Sequence, residues 1–268
     1  MILATDLDGT FLGGKSLHKQ QLYRLIRKDT TISLVFVTGR GLETVIPLLN
    51  DPIIPNPDFI ICDVGATVVN GHTLEAVQPL QNDIEKNWPG LLKIQECLKD
   101  IDELHYQEVP QQRRCSFYAD NKDRLADITE RMEAIGCDVI YSANKFLDIL
   151  PKGVNKGSTL TRLLKYLKAD MQDVLVAGDT LNDLSMFQCG LNGVVVGEAE
   201  PALTESTSLI PNVHKARLAG AGGILESIRH FERLAHYFSS FDEQVIEEEQ
   251  TDAPQLVMMY HRFPYELK

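Results

Sequence analysis

Two aspartates near the start of the chain, Asp6 and Asp8, have the type and spacing needed for phosphoryl chemistry. They follow a short apolar run, residues 2–4, and precede Gly9, which allows a sharp turn. In open parallel sheets, ligands bind beyond the carboxyl ends of the strands. Carboxylate oxygens suit Mg²⁺, and a carboxylate can also attack phosphorus as a nucleophile. Taken alone the pair is weak evidence, because turns at a protein surface are rich in aspartate.

Three later stretches supply complementary groups. Two of them end apolar runs that read as buried strands, and the third begins an amphipathic helix. In chain order they are Thr38-Gly39-Arg40, Val154-Asn155-Lys156-Gly157 and Gly178-Asp179-Thr180-Leu181-Asn182-Asp183. With the first motif, and in this order, the set resembles the haloacid dehalogenase (HAD) superfamily of phosphotransferases over about the first 230 residues. Singly, only the first and last motifs would be persuasive.

The resemblance implies a role for each carboxylate. Asp6 is expected to be the nucleophile that forms an aspartyl-phosphate, and Asp8 the acid that protonates the leaving group and then the base for water. Mg²⁺ is the expected cofactor, bound by Asp6, the Asp8 carbonyl and Asp179. Asp183 is expected to hold a metal-bound water or Lys156. For Asp179 and Asp183 the alternative is helix N-capping, and Asp179 is expected to do both.

The same resemblance assigns the groups that bind phosphate. Thr38 offers a hydroxyl and a backbone N–H at a strand end, and Gly39 follows it. Lys156 supplies a compact positive charge, and the Asn182 amide is a further donor. Arg40 has weaker standing, because an arginine at a helix start more often lies on the surface.

Strands that alternate with helices predict an α/β fold, a doubly wound, Rossmann-like parallel sheet built from residues 1–81 and 154–240. Within this core, two short apolar stretches carry specific predictions. Residues 66–77 look like a hairpin closed by Asn70-Gly71, and Ser208 to Ile210 looks like a short strand.

Between the second and third motifs, residues 82–153 follow the order α-β-β-α-β-β. An insertion of this size with its own elements is a small α+β domain, not a loop. Its place and order resemble the type-C2 cap of HAD phosphatases. Arg113, Arg114 and Lys145 are the cap residues expected to face the substrate.

The last residues, 241–268, differ in composition from the rest. Residues 242–252 are acidic and read as a linker, and residues 255–260 form a strand-like run. This run resembles the opening strand of a retaining glycosyltransferase domain. The alternative is a terminal strand that docks on a sheet edge.

Composition limits the partners. The net charge of −12 argues against nucleic acid and anionic membranes, although a local metal ion and a lysine can still accommodate an anionic substrate. No apolar run approaches the ~20 residues of a membrane span. A strand that starts at Ile2 leaves no room for a signal peptide, and the five cysteines lack any C-x-x-C pair. These features favour reduced thiols and a cytoplasmic location.

The predicted function is that of a Mg²⁺-dependent phosphatase acting on a small phosphorylated sugar or glycoside. The motifs most resemble the sucrose-phosphate phosphatase branch. With the tail, they suggest the phosphatase part of a chain joined to a glycosyl-phosphate synthase, with glucosylglycerol-phosphate or sucrose-6-phosphate as the type of substrate. Two alternatives stay open: a sugar phosphomutase, and a phosphatase-like module that regulates an attached synthase.

Overall fold

The computed structural model of the chain describes residues 1–119, 121–142 and 144–238. Two sheets organise these residues, one of seven strands and one of four. The strands are β1 (Ile2–Thr5), β2 (Ser33–Val37), β3 (Phe59–Cys62), β4 (Thr67–Asn70), β5 (Leu104–Tyr106), β6 (Cys115–Ala119), β7 (Cys137–Ser142), β8 (Phe146–Pro151), β9 (Val174–Gly178), β10 (Asn192–Gly197) and β11 (Val213–Ala219).

Helices separate most of these strands. They are α1 (Ser16–Lys28), α2 (Leu42–Leu49), α3 (Leu80–Glu85), α4 (Leu91–Leu98), α5 (Leu125–Ala134), α6 (Lys156–Tyr166), α7 (Leu184–Phe187), α8 (Pro201–Ser206) and α9 (Ala221–His230). Residues 232–238 are also helical.

The larger sheet has the order β11-β10-β9-β1-β2-β3-β4 and is parallel except for β4. β1 lies in its middle, with Ile2 in register with Ser33 of β2 on one side and Val174 of β9 on the other. Strands covered on both faces need continuous apolar runs, which explains the sequences of β1, β2 and β9. The carboxyl ends of these three neighbours meet at one edge, where the predicted motifs follow.

Helices cover both faces of this sheet, as a doubly wound fold requires. On one face Leu22 of α1, Val45 of α2 and Ile224 of α9 belong to one buried cluster. On the other face Ile84 of α3 and Leu160 of α6 belong to a second cluster. The predicted fold class of the core is therefore confirmed.

The four-stranded sheet has the order β5-β6-β8-β7 and is antiparallel throughout. α4 and α5 pack on it through a third cluster that includes Ile94 and Met132. The element order α4-β5-β6-α5-β7-β8 agrees with the predicted α+β cap. The domain boundaries at residues 82 and 153 stay predictions.

One strand prediction inside the core is wrong. Ser208 to Ile210 is a turn, with Leu209 93% exposed, and the edge strand is instead β11. An edge strand is only half covered, so its alternation of polar and apolar residues gave a weaker signal than the apolar run before it.

The hairpin predicted over residues 66–77 is confirmed in part, because the Asn70 N–H donates to the Glu75 carbonyl at 2.9 Å and the Val77 N–H donates to the Val68 carbonyl at 3.0 Å. β4 pairs in antiparallel fashion with β3 along its whole length. Towards residues 73–77 it makes a single bridge, between Val69 and Ala76.

The predicted acidic linker and the strand-like run of residues 241–268 lie outside the described residues. Among the helices that the structure does describe, none has the length and hydropathy that crossing a membrane requires.

Candidate active site

Asp6 lies at the carboxyl end of β1, where the chain leaves the centre of the sheet. Its backbone N–H donates to the Ala177 carbonyl at 3.0 Å, which extends the pairing with β9. The chain then turns over Leu7–Phe11, with Gly9 at φ +78°. A Cβ at Gly9 would lie 2.1 Å from Oδ2 of Asp179, so only glycine lets the turn pass over that carboxylate.

Lys156 brings the second motif to Asp6. It is the first residue of α6, and Asn155 caps that helix by accepting from the Ser158 N–H. Its ammonium lies 2.7 Å from Asp6 Oδ1, 2.8 Å from Asn182 Oδ1 and 2.6 Å from Asp183 Oδ1. The side chain is fully buried.

The last motif folds back on itself through Asp183. Its Oδ2 accepts from the backbone N–H groups of Asp179 and Thr180 at 2.9 and 3.1 Å, while its Oδ1 faces Lys156. Thr180, and not Asp179, occupies the N-cap position of the turn that follows. Thr180 therefore takes the N-cap position predicted for Asp179, and Asp183 completes the capping box by accepting from the Thr180 N–H. Asp179 instead accepts from the Thr10 hydroxyl at 2.8 Å.

Around Lys156, the aspartates Asp6, Asp179 and Asp183 carry more negative charge than the lysine can balance. Burial raises the pKa of Asp6, and Lys156 opposes that shift. Burial, and next the charge of Asp183, raise the pKa of Asp179 to about 6. For Lys156, burial acts to lower the pKa, but the carboxylates of Asp183 and Asp6 outweigh it and the net shift is upward. One ammonium thus faces three carboxylates.

The donor set suits Mg²⁺. Carboxylate oxygens of Asp6, Asp179 and Asp183 lie within 4.8 Å of one another. Mg²⁺ prefers such hard oxygen ligands, and its charge would balance the excess of carboxylates. Because both oxygens of Asp183 already accept hydrogen bonds, Asp6 and Asp179 are the better placed direct ligands.

Thr38 stands at the end of β2 and is buried. Its backbone N–H donates to the Ile61 carbonyl at 2.8 Å, so this N–H does not face a ligand as the sequence suggested. Its hydroxyl oxygen accepts from the Arg40 N–H at 3.1 Å, which leaves the hydroxyl hydrogen for a phosphate oxygen. Gly39 lines the cleft beside Asn182.

Arg40 forms an ion pair with Asp8, a contact that its position in the sequence did not predict. Its Nε donates to Asp8 Oδ2 at 2.8 Å and its Nη2 donates to Asp8 Oδ1. Asp8 itself is exposed, with 62% of its side chain accessible. The guanidinium therefore holds both oxygens of the carboxylate expected to act as acid and base.

A cleft of about 350 Å³ lies over these residues, between the core and the cap. Its core wall includes Asp6, Asp8, Arg40 and Asn182. The cap wall is formed by Gln107, Val109, Pro110, Arg114, Ser142, Phe146 and Asp148. Three of these, Gln107, Ser142 and Asp148, are polar residues that the sequence did not single out.

The three cap residues predicted to meet the substrate behave differently from one another. Arg113 pairs with Glu85 at 2.5 Å, and Lys145 lies 4.8 Å above the Tyr118 ring. Neither lines the cleft. Arg114 does line it, although the residue is only 7% exposed.

Comparison with known proteins gives a family match. The family model for "Sucrose-6F-phosphate phosphohydrolase" matches residues 1–232. A mannosylfructose-phosphate phosphatase from Agrobacterium fabrum is 29% identical over 239 residues, which cover 86% of this chain and 96% of the phosphatase. A crystal structure of the sucrose-phosphatase from Synechocystis, in complex with sucrose and phosphate, superposes with a TM-score of 0.78 at 25% identity, covering 87% of this chain and 98% of that one.

A longer relative matches the chain almost from end to end. A glucosylglycerol-phosphate synthase from Pseudomonas anguilliseptica is 47% identical over 269 residues, which cover 99% of this chain. The same alignment covers 35% of the synthase, so the chain spans about a third of that protein's length.

Proposed function

The chain belongs to the sucrose-6F-phosphate phosphohydrolase family of HAD phosphatases, and from this premise we propose that it hydrolyses a small phosphorylated glycoside with Mg²⁺ as cofactor. It is a phosphoric monoester hydrolase. The observation that carries the proposal is the convergence of Asp6, Asn182 and Asp183 on the buried ammonium of Lys156.

In the proposed reaction, a carboxylate oxygen of Asp6 attacks phosphorus and the bond to the sugar oxygen breaks. Asp8 gives its proton to that oxygen, so the sugar leaves as an alcohol. Asp8 then takes a proton from water, which attacks the aspartyl-phosphate and releases inorganic phosphate. Both carboxyl groups return to their starting states, and the net change is hydrolysis.

The remaining residues stabilise charge and fix orientation. Lys156, whose three N–H groups are engaged by Asp6, Asn182 and Asp183, would supply positive charge behind the Asp6 carboxylate. The Thr38 hydroxyl would donate to a phosphate oxygen, and Arg40 orients Asp8. Asp6, Asp179 and the Asp8 carbonyl would hold Mg²⁺, which when bound offsets the repulsion between carboxylate and phosphate. In-line positioning of this kind supplies much of the rate enhancement of phosphoryl transfer.

We propose a phosphorylated glycoside of the glucosylglycerol-phosphate type as the substrate. The alignment with the Pseudomonas synthase, over 99% of this chain, supports this choice. The cap wall offers Gln107, Ser142 and Asp148, whose amide, hydroxyl and carboxylate groups suit sugar hydroxyls. A joined or associated glycosyl-phosphate synthase is part of the same proposal, since the chain spans 35% of that relative.

A panel of phosphorylated substrates tests the proposal. Purified protein is incubated with glucosylglycerol-phosphate, sucrose-6-phosphate, mannosylfructose-phosphate and simple hexose phosphates, with Mg²⁺ or with a chelator, and phosphate release is measured. The expected result is Mg²⁺-dependent release that is fastest with glucosylglycerol-phosphate. Equal rates on all sugar phosphates contradict the substrate. An isomerised sugar phosphate without free phosphate indicates a mutase, and a change only in the activity of an added synthase indicates a regulatory module.

A further inference from the structure

The turn Asp63–Gly65, which follows β3, has an unusual backbone. Asp63, Val64 and Gly65 have φ values of +51°, +55° and +110°. Left-handed backbone is unfavourable for any residue with a Cβ, and most of all for a β-branched residue such as valine. Such conformations persist only where surrounding contacts impose them, and they concentrate at functional sites.

The contacts that impose this turn come from the active-site loops of the core. Asp63 donates its backbone N–H to the Arg40 carbonyl at 2.9 Å, and Val64 donates to the Thr38 carbonyl at 3.1 Å. The Thr159 hydroxyl of α6 donates to the Gly65 carbonyl at 2.7 Å. The turn is therefore braced between the loop that carries Thr38 and Arg40 and the helix that begins with Lys156.

Arg114 reaches the same turn from the cap. It immediately precedes β6, and its Nε lies 3.7 Å from Asp63 Oδ1. Its Nη1 lies 3.4 Å from Oδ1 of Asp148, on the neighbouring strand β8. Asp63, Arg114 and Asp148 are 2%, 7% and 5% exposed. One buried guanidinium thus connects a carboxylate of the core with a carboxylate of the cap.

The cluster of Asp63, Arg114 and Asp148 does not form all of its possible hydrogen bonds. Within the part of the chain that the structure describes, Asp63 Oδ1 and Arg114 Nε have no hydrogen-bond partner. Asp63 uses its other oxygen to accept from the Thr67 hydroxyl at 2.8 Å. Buried charges without hydrogen bonds are unfavourable, and charge-assisted bonds form at about 2.7–2.9 Å. An approach of about 1 Å between cap and core would therefore satisfy both atoms.

We infer that Arg114 is a positioning residue, whose ion pair with Asp63 couples the seating of the cap to the placement of the Thr38–Arg40 loop. This inference rests on the proposed function and deepens it. Because Arg114 acts through Asp63 and the turn, its loss should slow the hydrolysis of every phosphate ester, including esters without a sugar. A residue that merely contacted the sugar would discriminate between substrates.

Steady-state kinetics test the coupling with Arg114→Gln, Asp63→Asn, their double variant and Arg114→Lys. The matched control is Arg124→Gln, which removes an arginine whose ion pair in the described part of the chain, with Asp127, lies inside the cap. Each variant is assayed with glucosylglycerol-phosphate and with p-nitrophenyl phosphate. Misplacement of catalytic groups by 1 Å costs up to about 10²-fold, so we expect kcat to fall roughly tenfold or more with both substrates and KM to change little.

Further expectations distinguish positioning from a general loss of structure. The double variant should be no slower than the slower single variant, because both changes break the same contact. Arg114→Lys, which keeps the charge, should recover part of kcat, and Arg124→Gln should match the wild type. Losses confined to glucosylglycerol-phosphate, or losses that multiply in the double variant, overturn the inference.

The single tryptophan gives a readout that does not need turnover. Trp88 donates its indole N–H to the Gln112 carbonyl at 3.2 Å, two residues before Arg114. Inorganic phosphate with Mg²⁺ should change Trp88 emission in the wild type and in Arg124→Gln, and much less in Arg114→Gln and Asp63→Asn. An equal change in all four proteins overturns the coupling. If the wild type shows the change but hydrolyses no phosphate ester, the proposed function fails while the coupling stands.

Discussion

The ammonium of Lys156 lies 2.7 Å from Oδ1 of Asp6, although 150 residues separate the two in sequence. The same ammonium contacts Asp183 at 2.6 Å, and neither of these two side chains is exposed to solvent. A lysine is rarely buried without partners of opposite charge, so this contact organises the site as well as serving its chemistry.

Asp6→Asn should abolish turnover while leaving the fold intact. The amide cannot act as a nucleophile, but Lys156 keeps Asp183 and Asn182 as partners. We expect phosphate release to fall by at least about 10³-fold, with the unfolding midpoint close to that of the wild type. Residual activity above a tenth of the wild type would remove Asp6 from the role of nucleophile.

Lys156→Met should destabilise the protein as well as inactivate it. Two buried carboxylates would lose their cation, and breaking a buried ion pair costs about 3–5 kcal/mol. The loss in the free energy of unfolding is measured by urea denaturation without Mg²⁺. Lys165→Met, on the exposed side of the same helix, is the control and should change the free energy of unfolding by less than about 0.5 kcal/mol. A double variant with Asp183→Asn should recover part of the loss, and no recovery would argue against the pairing.

Gly9→Ala should weaken both Mg²⁺ binding and turnover. The new methyl group would fall 2.1 Å from Asp179 Oδ2, at a position with φ +78°. Gly90→Ala is the matched control, with φ +89° and no atom within 4 Å of the new methyl group. Both variants place a Cβ at a positive φ that disfavours any side chain, but only the first should lose Mg²⁺ affinity by calorimetry. Equal affinities in the two would contradict the close packing over Asp179.

Arg40→Lys should slow catalysis with little effect on stability. Lysine keeps the charge but cannot hold both oxygens of Asp8 in a planar fork. We expect kcat to fall about tenfold, and the free energy of unfolding to change by less than about 1 kcal/mol because the pair is partly exposed. Arg27→Lys, whose guanidinium donates to the exposed Pro52 carbonyl, should leave kcat unchanged. Wild-type kcat in Arg40→Lys would mean that Asp8 needs no partner.

Mg²⁺ should raise the unfolding temperature, because it balances the excess of carboxylates at the site. A ligand at 100 times its Kd stabilises the native state by about 2.7 kcal/mol. Burial and Asp183 raise the pKa of Asp179, so the ionised form is unfavourable without metal. Asp179→Asn should therefore stabilise the metal-free protein and abolish its response to Mg²⁺. Asp173→Asn, an exposed aspartate that pairs with Arg233, should leave the response intact.

The sequence could predict where the site residues stand, because Asp6, Thr38 and Asp179 each follow an apolar run that predicts a buried strand, and Lys156 begins an amphipathic helix. It could not predict which of these groups would touch. Arg40 reads as a surface residue until β1 and β2 are known to be neighbours, and only then does it face Asp8. Strand order depends on long-range packing, so it cannot be predicted from a local sequence pattern.

Asp63 was not among the residues predicted from the sequence, although its position after a strand pointed to it. It directly follows β3, as Asp6 follows β1 and Asp179 follows β9. The rule that ligand-binding groups gather at the carboxyl ends of parallel strands would have selected it. The mistaken strand at Ser208 to Ile210 shows the opposite error, since a short apolar run counted for more than the alternating polar pattern of β11.

The central position of β1 has a consequence for biosynthesis. Within this sequence, the strand before the proposed nucleophile is made about 170 residues ahead of one of its two neighbours, β9. The Asp6 carboxylate is therefore without the Lys156 ammonium until α6 is made, and without Asp179 and Asp183 until the residues after β9 are made. We therefore expect any product that terminates before Asp183 to be inert towards phosphate esters.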